Sequence, residues 1–592
     1  MRVLGIHDAF DAGAALVIDG ELRAAVNEER LNREKNFHEQ RGRLFGVIPA
    51  IKKSAYPRLS IDKVLEMEGL QKSDIDAIVL PHARPSEFFT SIPWKFFRTQ
   101  FGRALWNAPL IGGLCGLYWM NKRQLLRSTK KQLRQHGFTS QKIHFVGHHH
   151  SHASAAYRTS GWDDALVIVA DLEGDLTSTT VWRARGNDLE LLDETMFPFV
   201  SMGAFYGNCT ASIGFRKHVD ECKVMGLAAY GEPKCLEEIE HGLIWDESKA
   251  RLTSKNPLGF KRFVAELATH YEKKDVASSA QHRLEEVLVP FVEYWMEKTG
   301  CRRVCYGGGV AHNVIANQRL QEIPTIDGLH IFPNTGDGGL ACGAALEHWY
   351  QHAERSQGEV SYQIHNAYLG PEYGEDDIQA ALEKYKLPTK RSDSIGDDLG
   401  ALLADGKVCG IYQGRMEIGP RALGNRSILS SPQGSAAKDK VNNKVKFREG
   451  WRPFALSLLA ECQDEYLVDA TAANFMLLGF QVVPEKFEEV RSASHVDGST
   501  RPQTVSASAN PRYHAAISAF RERTGIGGVL NTSLNRRGEP ICCTPSDAIE
   551  CFLGSEMDAI VLGDYLLTKA DVRKEQLQEF EAIEKDVAVT AG

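Results

Sequence analysis

Short apolar runs that stop at an acid or a glycine and hand over to a helical pattern recur along this chain, and they constrain its fold most. Ala165–Ala170 is one such run and ends at Asp171. Val304–Tyr306 is another; it ends in Gly307-Gly308-Gly309, and a helical pattern follows from Ala311 to Leu320. Residues 1–7 and 13–19 read as two strands joined by a turn rich in His and Asp, and Asp19-Gly20 folds the second onto a third, Leu22–Val26. Ile75–Leu80 is a buried strand stopped by Pro81. Strands that end this way bring their ends to a common cleft, so the chain reads as α/β.

At 592 residues the chain exceeds a single core. The spacing predicts a first domain over 1–360, a weakly periodic polar linker near 353–365, a second domain over 367–575 and a charged tail, 576–592. No repeat of 20–50 residues is visible. Apolar residues make up 43% and charged ones 25%, an ordinary globular profile, and the net charge of −8 argues against a nucleic-acid partner. The 12 cysteines include no C-x-x-C pair, and the first residues read as a strand rather than a leader, so the expectation is a reducing cytoplasm. The 86–135 segment is basic and aromatic, with no acid between Glu87 and Asp163. Pro109 and Gly112-Gly113 interrupt its uncharged stretch, which disfavours a transmembrane helix. A core hairpin with a solvated basic flank is the plain reading; a peripheral membrane contact or a patch for an amphiphilic acceptor is the functional one.

Two constellations carry chemistry. In Gly147-His148-His149-His150-Ser151-His152, His148 and His152 stand at i, i+4 and share one face of a helix. With the strand-end acids Asp171 and Asp337 they make a mixed N/O donor set suited to Fe(II), Mn(II) or Zn(II). The plain alternatives are core histidines and turn-forming acids. The second constellation is a gapless run, Gln413 to Leu429, that includes Arg415, Arg421 and Arg426. Lys446, Arg448, Arg452, Arg501, Ser533 and Asn535 follow it. Basic residues set among Gly, Pro and aromatics suit phosphate oxygens better than a solvated face does.

The ordered set His148-x-x-x-His152, Asp171, Glu221-x-Lys223-x-x-Gly226, Gly307-Gly308-Gly309-x-x-x-Asn313 and Asp337-x-Gly339, together with the arginine-rich run, resembles the O-carbamoyltransferase family of nodulation and antibiotic-tailoring enzymes. The resemblance implies an actin/hexokinase/Hsp70-like N-terminal domain, similar to threonylcarbamoyl transferases. It also implies an α/β C-terminal domain similar to threonylcarbamoyl-adenylate synthases (YrdC-like). Carried onto this chain, His148, His152, Asp171 and Asp337 hold a divalent metal, Fe2+ first and Mn2+ or Zn2+ as alternatives. Lys223, Gly226, Gly307, Gly308, Gly309 and Asn313 line a nucleotide. Arg415, Arg421, Arg426, Arg501, Ser533 and Asn535 bind carbamoyl phosphate, and Lys446, Arg448 and Arg452 serve adenylation by ATP, with Mg2+. The implied reaction passes through carbamoyl adenylate to the hydroxyl of a small-molecule acceptor.

One departure bears on catalysis. The family usually places His before Asp after its first strand; aligned on Ala14-Ala15-Leu16, the Asp is Asp11 and the His position holds Phe10. A phenyl ring takes no proton, which makes His7, Asp11 and Asp8 the candidates for a base. The Asp171-Leu172-Glu173-Gly174-Asp175 loop also departs from the usual Asp-Gly-x-Gly-Glu. Competing readings are a tRNA threonylcarbamoyl-type enzyme, a sugar kinase of the same superfamily, and a degenerate nucleotide-binding module.

Overall fold

The computed structural model describes residues 1–38, 40–44, 48–82, 123–197, 199–257, 259–352, 362–388, 390–434 and 436–573. Most of the basic, aromatic segment and the charged tail therefore lie outside the described residues, although residues 123–135 are helical. The chain forms two compact units. One comprises Met1–Phe197, Arg303–Gly309 and His330–Gln363; the other comprises Pro198–Arg302, Val310–Leu329 and Ile364–Gly592. Residues 198–302 and 310–329, placed in the first domain by the sequence reading, group with the C-terminal residues.

The first unit carries two five-stranded sheets of one design. In the first sheet, β1 (Arg2–His7), β2 (Gly13–Ile18) and β3 (Glu21–Asn27) run antiparallel. β4 (Ala77–Leu80) and β5 (Lys142–Phe145) add in parallel beside β1, giving the order β3-β2-β1-β4-β5. The second sheet repeats the order as β8-β7-β6-β9-β10, built from β6 (Asp164–Gly174), β7 (Thr177–Arg185), β8 (Asp188–Met196), β9 (Arg303–Gly307) and β10 (Gly328–Ile331). The α/β expectation holds, and this doubled sheet is the architecture that the actin/hexokinase/Hsp70 resemblance implies. Strands such as β1 and β6 are buried on both faces, which explains their near-continuous apolar sequences.

Two helices, α1 (His148–Arg158) and α3 (Leu340–His352), pack at unusually short range. A Cβ on Gly5 would fall 1.9 Å from the Ala341 carbonyl oxygen of α3, and one on Gly343 would fall 1.8 Å from that of Ser151 in α1. Glycine thus lets α3 lie against both β1 and α1. The second unit holds α2 (Glu221–Ala228) and a seven-stranded mixed sheet. Its order is β14-β13-β15-β12-β11-β16-β17, with β11 Cys409–Tyr412, β12 Arg426–Ser430, β13 Ala455–Leu459, β14 Pro502–Val505, β15 Gly528–Ser533, β16 Ala559–Leu562 and β17 Tyr565–Thr568. Among the described residues, no helix is long and apolar enough to cross a membrane.

Candidate active site

In the first unit, four predicted ligands converge. His148 and His152 project from one face of α1, Asp171 ends the buried part of β6, and Asp337 opens the turn into α3. One donor atom from each lies within 4.8 Å of all the others. His148 Nε2 stands 3.1 Å from Asp171 Oδ2 and 3.6 Å from Asp337 Oδ1; His152 Nε2 stands 3.5 and 3.6 Å from the same two oxygens. Burial alone would raise the Asp171 carboxyl, but the two imidazoles outweigh it and hold the group well below its usual range. Burial alone would lower His152, but Asp171 and Asp337 carry it up to about 9.

The histidine run divides by role. His149 is pushed down to about 3, chiefly by burial, and meets the Thr177 carbonyl and the Thr180 hydroxyl. His150 pairs with Glu347 at 3.0 Å and stacks on Trp182. Both serve the core. The loop after Asp171 explains its own sequence: Asp175 accepts the His148 backbone N–H at 3.0 Å, satisfying an open donor at the start of α1. A Cβ on Gly174 would fall 2.1 Å from the His148 ring.

The glycine triplet belongs to this cluster. Gly308 has φ +91, and a Cβ there would fall 2.3 Å from the Ala170 carbonyl oxygen. Gly309 donates its N–H to Asp171 Oδ1 at 3.1 Å. Asn313 caps the helix Val314–Gln321 and bonds Gln281, so its side chain is committed to structure. Lys223 and Gly226 lie in the other unit: Lys223 pairs with Asp220 and Glu449, and Gly226 faces Pro453. The predicted nucleotide set is therefore three glycines beside the acids, one helix cap, and two residues beside the arginine pocket.

At the edge of the cluster, Asn27 donates to the carbonyls of Asp11 (2.9 Å) and Gly338 (3.2 Å), tying the β1–β2 turn to the residue after Asp337. The Asp11 carboxyl is pushed up to about 7 by burial, Glu29 and Asp337. His7 ends β1, is 1% exposed, and bonds the Phe10 carbonyl through Nε2 at 2.8 Å. Burial pushes it down to about 4, against the pull of Asp337. Asn27, Gly174 and Asp175 were not singled out as site residues from sequence; the Gly174-Asp175 pair beside a metal acid was the available signal.

In the second unit, Arg421, Arg448, Arg452 and Arg501 lie within electrostatic reach of one another. Arg501 is driven well below its usual range by burial first and then by Arg421, Arg448 and Arg452; burial and Arg452 push Arg448 down to about 9. Arg448 stacks on Phe454, and Arg452 Nη2 reaches the exposed Cys222 thiol at 4.0 Å. The Nε atoms of Arg421 and Arg501 are buried without a hydrogen-bond partner among the described residues. Four guanidinium groups held together this way suit a polyanion. Lys446, Ser533 and Asn535 form a neighbouring group, with Lys446 Nζ donating to both side chains.

Two predicted phosphate ligands are committed elsewhere. Arg426 is fully buried over the Tyr412 ring and donates to the carbonyls of Gln413, Asn425 and Gly414. Arg415 donates to the Leu369 and Gly370 carbonyls. Glu417 clamps the same run by accepting the N–H groups of Leu423, Asn425 and Arg426 at 2.7–3.1 Å.

Comparison with known proteins now has a geometry to explain. The family model described as carbamoyltransferase N-terminus matches residues 2–346, and the one described as carbamoyltransferase C-terminus matches residues 400–569. An uncharacterised protein, sll1178, of Synechocystis is 32% identical, with 98% of this chain and 99% of that protein covered. Nodulation protein NolNO of Sinorhizobium fredii is 33% identical, with 94% and 79% covered. The 3'-hydroxymethylcephem-O-carbamoyltransferase of Streptomyces clavuligerus is 34% identical over 43% of this chain and 47% of its own. Two matched family halves, one around a four-donor cluster and the other around an arginine pocket, show that this chain belongs to the carbamoyltransferase family of enzymes.

Proposed function

We propose that the protein makes carbamoyl adenylate from carbamoyl phosphate and ATP and then places the carbamoyl group on the hydroxyl of a small molecule. The observation that carries this reading is the pairing of an arginine-rich pocket, four guanidinium groups with Glu449 beside them, with a separate His2Asp2 cluster in one family-matched chain. Arg421, Arg448, Arg452 and Arg501 hold the phosphates of ATP, with its Mg2+, and of carbamoyl phosphate; Lys446, Ser533 and Asn535 orient the carbamoyl donor. Lys223 joins this phosphate site by position, next to Glu449.

His148, His152, Asp171 and Asp337 fit a divalent metal. Their donors converge, and His152 Nε2 is buried with no hydrogen-bond partner of good geometry. Fe2+ is favoured by the family resemblance, and the donor set also suits Mn2+ or Zn2+. Such an ion, when bound, supplies positive charge against a nucleotide phosphate. The chain's own residues do the rest. Gly307 to Gly309 let the nucleotide approach the backbone closely. His7, whose Nε2–H is spent on the Phe10 carbonyl, presents the Nδ1 lone pair as base for the hydroxyl, and Asp11 lies beside the same turn. We place this chemistry in a reducing cytoplasm, consistent with free cysteines throughout the described residues.

The test is ATP–pyrophosphate exchange. It should appear only when carbamoyl phosphate is present, and label from carbamoyl phosphate should then move to members of a panel of hydroxylated metabolites. Absence of carbamoyl-phosphate-dependent exchange overturns the reading; label in tRNA instead redirects it.

A further inference from the structure

Between Lys446 and Arg448, two residues of the adenylation chemistry proposed above, stands a side chain which that chemistry leaves unused. The helix Ala436–Val441 runs on into a π-helical turn over Asn442–Lys446, and Phe447 ends it. Phe447 has φ 46 and ψ 53, in the left-handed region that a bulky side chain rarely occupies. Its N–H donates to the Asn442 carbonyl, and so does the N–H of Arg448, at 3.3 Å.

Gly or Asn would hold the same turn with less strain. The chain keeps a phenylalanine there and leaves it 52% exposed. Lys446, by contrast, is 7% exposed, with Nζ donating to the Ser533 hydroxyl at 3.2 Å and the Asn535 side chain at 2.7 Å. Arg448 is fixed on the other side: Nε donates to Asn442 Oδ1 at 2.9 Å, and its guanidinium carbon lies 4.0 Å from the centre of the Phe454 ring. Consecutive Cα atoms are about 3.8 Å apart, so the open ring grows from the chain directly between two fixed cationic residues. Backbone strain and an exposed aromatic face both run against stability, and both fall on this one residue. Strain of this kind persists where the surroundings fix it, and it collects at functional positions. In ATP the α-phosphate joins the base through a single ribose, so phosphates held on these cations bring the base one sugar away from them.

We propose that Phe447 is the stacking platform for the purine base of ATP, an assignment that rests on the adenylation reading above. Aromatic rings hold nucleobases face to face, largely regardless of the base's edge groups. The ring therefore gives ATP an affinity that inorganic tripolyphosphate cannot share, because only the nucleotide carries a π face.

The experiment measures carbamoyl-phosphate-dependent pyrophosphate exchange in wild type, Phe447→Asn and Phe447→Trp, with inorganic tripolyphosphate as a competitor that lacks a base. Asn suits the left-handed backbone and removes the ring, while Trp restores a larger face. Phe447→Asn should raise the KM for ATP about 10-fold. The KM for carbamoyl phosphate and the inhibition constant of tripolyphosphate should stay within about twofold of wild type. Phe447→Trp should use ATP with a KM at or below that of wild type. An ATP KM in Phe447→Asn within about twofold of wild type overturns the proposal. So does a parallel rise in all three constants, which would show that the residue sets the backbone of Lys446 and Arg448 instead. A Trp variant as weak as the Asn variant also overturns it. Failure of wild type to exchange at all would break the adenylation reading itself, and would be visible without any variant.

Discussion

The His2Asp2 cluster and the arginine pocket solve opposite electrostatic problems. In the cluster, carboxylates stand against imidazoles, and His152 and Asp171 each hold the other in its charged form. In the pocket, four guanidinium groups lower each other's stability as cations, and Glu449 is a near counterweight. The cluster is held by short-range fit: a helix start satisfied by Asp175, a glycine under an imidazole, and a backbone N–H on Asp171. In the pocket, Arg448 is held by stacking on Phe454 and by donating to the Asn442 side chain and the Pro453 carbonyl. One site is specified by shape, the other by accumulated charge.

Because the pocket depends on charge, Arg448→Ala or Arg501→Ala should cut pyrophosphate exchange by about 10²-fold or more. Metal content, read by atomic emission, should not change. Loss of metal in these variants would break the separation. Because the cluster depends on shape, Gly174→Ala drives a methyl into the His148 ring and should lower metal occupancy by about 10-fold, with exchange retained. Unchanged occupancy would show that the loop yields.

Arg426 sharpens the contrast, since it is an arginine of the same run serving structure. Arg426→Lys should lose about 2–4 kcal/mol of stability in urea melts, with no rise in the KM for carbamoyl phosphate. A KM effect without destabilisation would return it to the phosphate site. The smallest effect concerns pH. Burial, Glu29 and Asp337 raise the Asp11 carboxyl to about 7, so it is protonated below and charged above that value. If its charge assists transfer, the rate should rise a few-fold as pH passes through about 7, and Asp11→Asn should flatten that limb. An unchanged profile in the variant would leave Asp11 as a turn former.

Legibility in the sequence followed the range of the interaction. His148 and His152 could be read because helical spacing fixes their common face, Asp171 because it ends a recognisable apolar run, and Asp337 because it stands in the glycine-rich turn Thr335-Gly336-Asp337-Gly338-Gly339. The doubled five-stranded sheet was legible only through the family resemblance and not from local pattern, since its halves share topology rather than repeating residues. Lys223 and Gly226 look like part of a nucleotide motif with the glycine triplet, yet they pack beside Glu449 and Pro453. The Gln413–Leu429 run was the most recognisable stretch, and much of it is scaffolding: Glu417 binds backbone amides, Arg415 and Arg426 bind carbonyls, and Arg421 alone of its three arginines joins the pocket. A motif records that residues are needed without saying whether they touch substrate. The Asp8 carboxylate meets the His82 ring and the Thr129 hydroxyl, 74 and 121 positions along the chain, and no local pattern marks that group.

The division of labour is tested most directly by carbamoyl-phosphate-dependent pyrophosphate exchange in His148→Ala and His152→Ala. Both variants should exchange at close to the wild-type rate while failing to deliver label to any alcohol. Loss of exchange in these variants, as deep as in Arg501→Ala, would contradict the assignment of adenylation and transfer to different sites.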